Sequence, residues 1–344
     1  MTVTTATVLV ASLCITALAT ALGLTQLVER QHPEITNPLR EEFAPLSIRR
    51  IDFDEHLPPV GVGMALRVAQ LSSIGALVNL SGGATGGELE AQLAAARPYG
   101  DRAFVFMNPR ENGGCTDASL AREASRLADG KALGARGFAV PKGPACLISS
   151  RAAEALWEAC ATLGLPVALG TVGSLAERIR LVERHPRVNF VATRFAQSAA
   201  NPAEVARLMD RLPNLWVDTA GSIAELGRRP AAARQAILGH VDRVIFGSGV
   251  RYADSRERQP TVLSSGLPVP TDPRLFGSKD RQDFFDSALR FFETRDSDIP
   301  SPLSADISEL TGIGLPREAL EKIYHQNVER LLRMPGQRVE VGAQ

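Results

Sequence analysis

The stretch LGLPVALGTVGSLAERIRLVERHPRVNFVATRF (163–195) decides how the rest of the chain is read. It contains two runs, LPVALG (165–170) and NFVATR (189–194), separated by a segment of helical composition that starts at Ser174-Leu-Ala-Glu177. Both runs are apolar along nearly their whole length instead of alternating, the pattern of strands covered on both faces. A Ser followed three residues later by Glu can satisfy the first free amides of a helix, so the stretch reads as strand, helix and parallel returning strand.

Working outward, the same unit recurs. Further strand candidates are IDFDEH (51–56), ALVNLS (76–81), AFVFMN (103–108), GFAV (137–140), LWVDT (215–219) and RVIFGS (243–248), which makes eight with the first two. Helical segments lie between them. Asn201-Pro-Ala-Glu204 repeats the capping pattern, and Ala152, Leu156, Cys160 and Leu163 share one helix face that Gly164 ends. Phe284, Phe285, Ala288, Leu289 and Phe292 mark the helix after the eighth strand, and LPREALEKIYHQNVERLLRM (315–334) supplies closing helices. Eight short-linked repeats predict a closed (β/α)8 TIM barrel. An open doubly wound sheet would carry a glycine fingerprint after its first strand, where this chain has Asp52-Phe-Asp-Glu-His56. SGGATGG (81–87) follows the second strand and lacks the Lys of a phosphate loop. Arg251 to Gly277, rich in Pro and Ser, reads as a covering loop on the barrel mouth.

The composition is that of a globular protein: 344 residues, 44% hydrophobic, with 38 basic against 38 acidic side chains. A net charge of zero provides no broad field for a phosphate backbone, so nucleic acid is not an expected partner. Residues Ala6 to Leu24 carry no charge across nineteen positions. That run fits a cleaved secretory signal peptide, a retained membrane anchor or a helix packed on the domain, and the first two make the protein exported or membrane-anchored. The expected division is a leader at 1–24, a proline-bearing linker at 25–48, the barrel at 49–334 and a loose tail at 335–344. Cys115 and Cys146 fall on the loops after the third and fourth strands, neighbours on one rim, and are the disulfide candidates of an exported domain; Cys160 is a core thiol.

A set of motifs in order resembles the amidohydrolase-related branch of the metal-dependent amidohydrolase superfamily. They are IDFDEHL (51–57), VNLSGG (78–83), GARGF (134–138), LGLPVALGT (163–171), HPRVNFVATRF (185–195), LPNLWVDTAGSIAELGRRP (212–230), DRVIFGS (242–248) and KIYHQNVERLL (322–332). The resemblance implies a distorted (β/α)8 barrel, a hydrolase or decarboxylase chemistry, and one divalent metal such as zinc at the C-terminal mouth. It also implies the ligands: His-x-His after the first strand, a His after the fifth, often one after the sixth, and an Asp after the eighth. Imidazoles hold such a metal while a carboxylate takes a proton from its bound water. At the matching positions stand Asp54 and His56, Gly170, Arg194 and Gly249, so four of the five are substituted and only His56 survives.

The resemblance therefore leads to a barrel whose usual metal centre is dismantled, a pseudoenzyme or a repurposed binder of a small ligand with no cofactor. The alternative is an active hydrolase or decarboxylase-like lyase with an atypical site around Asp54 and His56. That alternative either builds an unconventional site from Asp54, His56 and Asp218 or works metal-free with Asp54 as base, and Asp54, Glu55 and Asp218 can contribute oxygens to some other ion. Asp54, His56 and Arg194 are the catalytic candidates, with Arg194 expected to pair with Asp54 in the space left by the metal. Lys142 and Arg251 on mouth loops can join Arg194 in a basic pocket for a carboxylate or phosphate, with Asp218 on the rim; the alternative is that these bases pair with Asp218, Asp254 and Glu225 and hold loops. His185, His240 and His325 read as structural. A nucleophile finds little support: there is no Gly-x-Ser-x-Gly, and Ser248 lacks an obvious His-acid pair.

Overall fold

Each of the eight apolar runs becomes a strand, trimmed where proline or a turn ends the pairing. The strands are β1 (Ile51–Glu55), β2 (Ala76–Asn79), β3 (Ala103–Met107), β4 (Gly137–Val140), β5 (Val167–Leu169), β6 (Phe190–Ala192), β7 (Leu215–Asp218) and β8 (Val244–Ile245). The computed structural model describes residues 44–110, 115–141, 146–249, 278–301 and 309–333. The leader, most of the linker, the loop at 251–277, Lys142, Arg251, Asp254 and the tail lie outside them. Pro166 shortens β5 because it has no amide to donate. β6 stops before Arg194, which enters a left-handed turn with φ 57°.

The strands pair in chain order, β1 to β8, each parallel to the next. The Phe53 amide donates to the Phe246 carbonyl at 3.1 Å, just past the end of β8, which brings the last strand back to the first and nearly closes the barrel. Gly247 permits this approach: a Cβ there would lie 2.3 Å from the Phe53 carbonyl oxygen. Ile51, Phe53, Val78, Phe106, Ala139, Ala168, Val191, Trp216 and Ile245 form one buried apolar cluster with Val328 and Leu331 of the C-terminal helical run. Removing this surface from water is the main force holding the strands together.

Helices cover the outside: α1 (Val62–Leu71), α2 (Glu88–Ala96), α3 (Asp117–Leu133), α4 (Glu154–Leu163), α5 (Leu175–Arg184), α6 (Pro202–Arg211), α7 (Pro230–Gly239) and α8 (Ser278–Glu293). Gly164 ends α4 at φ 63°, the left-handed cap that glycine adopts without strain. The box at Ser174 forms: its hydroxyl accepts from the Glu177 amide at 3.2 Å, and the Glu177 carboxylate accepts from the Ser174 amide at 2.8 Å. At α6 the expectation fails. The Asn201 side chain makes no cap bond and instead donates to Glu204 at 3.3 Å, while Pro202 starts the helix with its fixed φ.

α8 buries Phe284, Phe285, Leu289, Phe291 and Phe292. Its last residue, Glu293, accepts from Arg50 at 2.7 Å, from the Tyr324 hydroxyl at 3.0 Å and from the Leu46 amide at 2.7 Å. Cys115 and Cys146 form a disulfide with a Cα separation of 5.8 Å, and Cys160 is buried and free. Among the described residues no helix is long and apolar enough to cross a membrane.

Candidate functional site at the barrel mouth

Asp54 sits at φ 75° within β1, where the register against β2 shifts between Phe53 and Glu55. A non-glycine residue in this region costs about 1–3 kcal/mol and persists only where its surroundings hold it. The shift breaks the plain alternation of a strand, and the three consecutive residues Asp54, Glu55 and His56 all find polar partners. His56 Nε2 lies 3.0 Å from Asp54 Oδ1, and its Nδ1 lies 2.6 Å from Ser81 Oγ. Both ring nitrogens are therefore committed. Asp54 is buried, whereas His56 and Ser81 are half-buried.

Ser81 follows β2, next to β1 in the barrel, and its position is set from beneath. Asn79 Oδ1 accepts from the amides of Ser81 at 2.9 Å and Leu57 at 3.1 Å, and Asn79 Nδ2 donates to Gln92 of α2 at 3.2 Å. Gln92 in turn donates to the Leu57 carbonyl at 2.6 Å. This buried amide network ties together the two loops that carry His56 and Ser81. Beyond Ser81 the amides of Gly82, Gly83, Ala84, Gly86 and Gly87 donate to Phe106, Asn108, Glu88 and Glu90, so they do not form a phosphate cradle.

Asp52, Glu55 and Asp218 complete an acidic mouth, all fully buried. Asp52 Oδ1 accepts from the Ser248 amide at 2.7 Å, and Glu55 Oε1 from the Ser248 hydroxyl at 3.3 Å. Burial pushes the Asp52 carboxyl up to about 6, against the pull of hydrogen bonds from Glu55 and Ser248. Glu55 is raised well above the ordinary range by burial and then by the Asp52 charge. Asp218 Oδ1 accepts from the amides of Arg194 at 2.8 Å and Ala220 at 3.0 Å. Burial, followed by the charge of Asp54, raises its carboxyl well above the usual value.

The expected Arg194–Asp54 pair is not formed. Four successive residues, Arg194 to Gln197, have positive φ, and this turn directs the Arg194 amide to Asp218 while its side chain is exposed. His56 takes the Asp54 carboxylate instead. The basic pocket cannot be assembled from described residues, since Lys142 and Arg251 lie outside them. Glu225 sits 3.5 Å from Arg228. His185, His240 and His325 stand 3.1, 2.9 and 3.2 Å from Glu154, Asp210 and Glu329.

The residues do not fit the metal set that the family resemblance implies. A Cβ at Gly170 would stand 2.2 Å from the Pro141 carbonyl oxygen, so the fifth-strand position has no room for an imidazole without moving backbone. Gly249 has φ 73° and a Cβ there would meet Ala220 at 3.2 Å. Asp54 and His56 face each other, and among the described residues no three His, Cys, Asp or Glu side chains are grouped as a metal would need. Ser81 is the residue that the sequence reading missed. The chain carried one signal for it: the first two strand candidates, 51–56 and 76–81, end on His56 and Ser81, which places both at the same end of neighbouring strands.

The amidohydrolase family model matches residues 59–334 of the chain. A crystallised TIM-barrel protein of Bordetella bronchiseptica is 16% identical, with a TM-score of 0.53 over 83% of this chain and 99% of its own. An amidohydrolase of Burkholderia multivorans, crystallised with bound zinc, is also 16% identical, with a TM-score of 0.50 over 83% and 99%. At this identity the likeness is one of fold. Among curated proteins, none matches the chain.

Proposed function

Because the chain belongs to the amidohydrolase family, we propose that its barrel mouth is a small-molecule hydrolytic site that works through Asp54 and His56 without the family's usual divalent metal. One observation carries this reading: His56 is held on both sides, by Asp54 at 3.0 Å and Ser81 at 2.6 Å, so it is oriented as a proton carrier rather than open to an ion. With the Nε2 hydrogen directed to the carboxylate, Nδ1 is the free base, and the carboxylate stabilises the imidazolium formed when it takes a proton. Burial raises the Glu55 and Asp218 carboxyls well above their ordinary values and Asp52 to about 6, so the mouth carries less negative charge than its four carboxyls would otherwise give it.

A non-catalytic binder on the same scaffold is the reading set against it, since a barrel persists when its chemistry is lost. The Asp54–His56 contact favours a working site. The reading also includes export or membrane tethering, on the uncharged run Ala6 to Leu24 and on the Cys115–Cys146 bridge, a bond kept in oxidising compartments.

Metal analysis of the purified chain, paired with turnover of aryl esters with and without a chelator, tests the proposal. Substoichiometric metal and chelator-resistant turnover that His56→Ala abolishes are expected. One zinc or manganese per chain, lost in His56→Ala together with chelator-sensitive activity, would overturn it. Absence of turnover in folded protein would return the barrel to a binding role.

A further inference from the structure

We infer that Ser81 is a nucleophile, activated by His56 and Asp54, and that the site transfers acyl groups from small esters onto its Oγ; this rests on the metal-free reading above. The three side chains form a continuous relay, with Ser81 Oγ 2.6 Å from His56 Nδ1 and His56 Nε2 3.0 Å from Asp54 Oδ1. These are the contacts by which a base removes a hydroxyl proton and a carboxylate holds the base in its tautomer. The members come from two neighbouring strand ends, so no local motif announces them. The relay is held rigidly, by Asn79 and Gln92 under Ser81 and Leu57 and by the strained backbone of Asp54 beside His56.

In the first step Ser81 Oγ attacks the ester carbonyl carbon while its proton passes to His56 Nδ1. The tetrahedral adduct then expels the alkoxide, which takes that proton from His56 and leaves as the alcohol, with the acyl group on Ser81. Water, deprotonated by His56, repeats the attack on the acyl carbonyl, releases the carboxylic acid and restores the Ser81 hydroxyl. The amides of Gly82, Gly83, Ala84, Gly86 and Gly87 already donate elsewhere, so this loop offers little to the oxyanion. The site therefore suits esters with good leaving groups over amides, and uncharged acyl chains over anionic ones, which the Asp54 carboxylate repels.

The test is labelling of the full chain with a fluorophosphonate, read by intact mass and peptide mapping. One adduct per chain on Ser81 is expected, absent in Ser81→Ala and slowed on the order of 100-fold or more in Asp54→Asn. Circular dichroism and the unfolding midpoint establish that each variant is folded. Should Ser81→Ala fail to fold, trapping of an acyl-enzyme mass on Ser81 of the unaltered chain with p-nitrophenyl acetate decides the matter. An adduct on another serine such as Ser248, or no adduct and no acyl-enzyme in folded protein, would overturn the assignment. Ester turnover kept in Ser81→Ala but lost in His56→Ala would remove the nucleophile and leave the metal-free reading standing, whereas chelator-sensitive turnover would remove that reading itself.

Discussion

Asp52 Oδ2 and Glu55 Oε2 are both buried, and neither meets a donor among the described residues. Burial raises both carboxyls of this hydrogen-bonded pair, so together they keep a proton that two separate carboxyls would release. The consequence is a pH dependence with a definite sign. Asp52 is raised from 3.8 to about 6, so the folded chain binds a proton that the unfolded chain has released. Its stabilisation is complete below the lower value and is lost as pH rises through the upper one. Urea unfolding between these limits should show stability falling by up to about 1.4 kcal/mol per pH unit from this group. Asp52→Asn, which can still accept from the Ser248 amide, should flatten that slope. An unchanged slope in the variant would dismiss the shared proton. Gly170 makes a second point at this scale. Its Cβ position is filled by the Pro141 carbonyl, so Gly170→His does not restore a ligand and should destabilise the barrel by roughly 1–3 kcal/mol in thermal unfolding.

Helix ends separate two sequence patterns that look alike. Ser174 and Glu177 exchange both hydrogen bonds of the capping box at the start of α5, whereas Asn201 makes no cap bond at α6. Ser174→Ala should therefore cost about 1 kcal/mol and Asn201→Ala clearly less, by urea unfolding of each variant. Equal losses would show that the two caps are equivalent in solution. The difference arises because Pro at the first helical position has no amide to satisfy and presets the turn, leaving the Asn side chain free to meet Glu204. The β1 bulge is the other decisive element. It lies in IDFDEH, whose polar residues gave no sign that the register would slip between Phe53 and Glu55. Without that slip, strand alternation would place Asp54 and Glu55 on opposite faces.

Over the whole molecule the Cys115–Cys146 bridge closes a separation of 31 residues between the β3 and β4 loops. Its removal by Cys115→Ser with Cys146→Ser should cost about 2–4 kcal/mol, seen as a lower unfolding midpoint that added reductant does not lower further. A second tie joins Arg50, Glu293 and Tyr324, and with them the edge of β1, the end of α8 and the closing helical run. It was not legible in the sequence, because its members are separated by 243 and 31 residues and no periodicity links them. The eight strands and the face of α8 were legible, because burial on both sides of a strand or one side of a helix leaves an apolar period in the chain itself. That the end of the fifth strand offers no side-chain donor could likewise be read from Gly170. What only tertiary structure decided was who meets whom at the mouth: His56 with Asp54 and Ser81, and the Arg194 amide with Asp218. Composition and spacing constrain which backbone forms, but a hydrogen bond needs atoms within about 3 Å, and that depends on a bulge, a left-handed turn and the closure of the barrel.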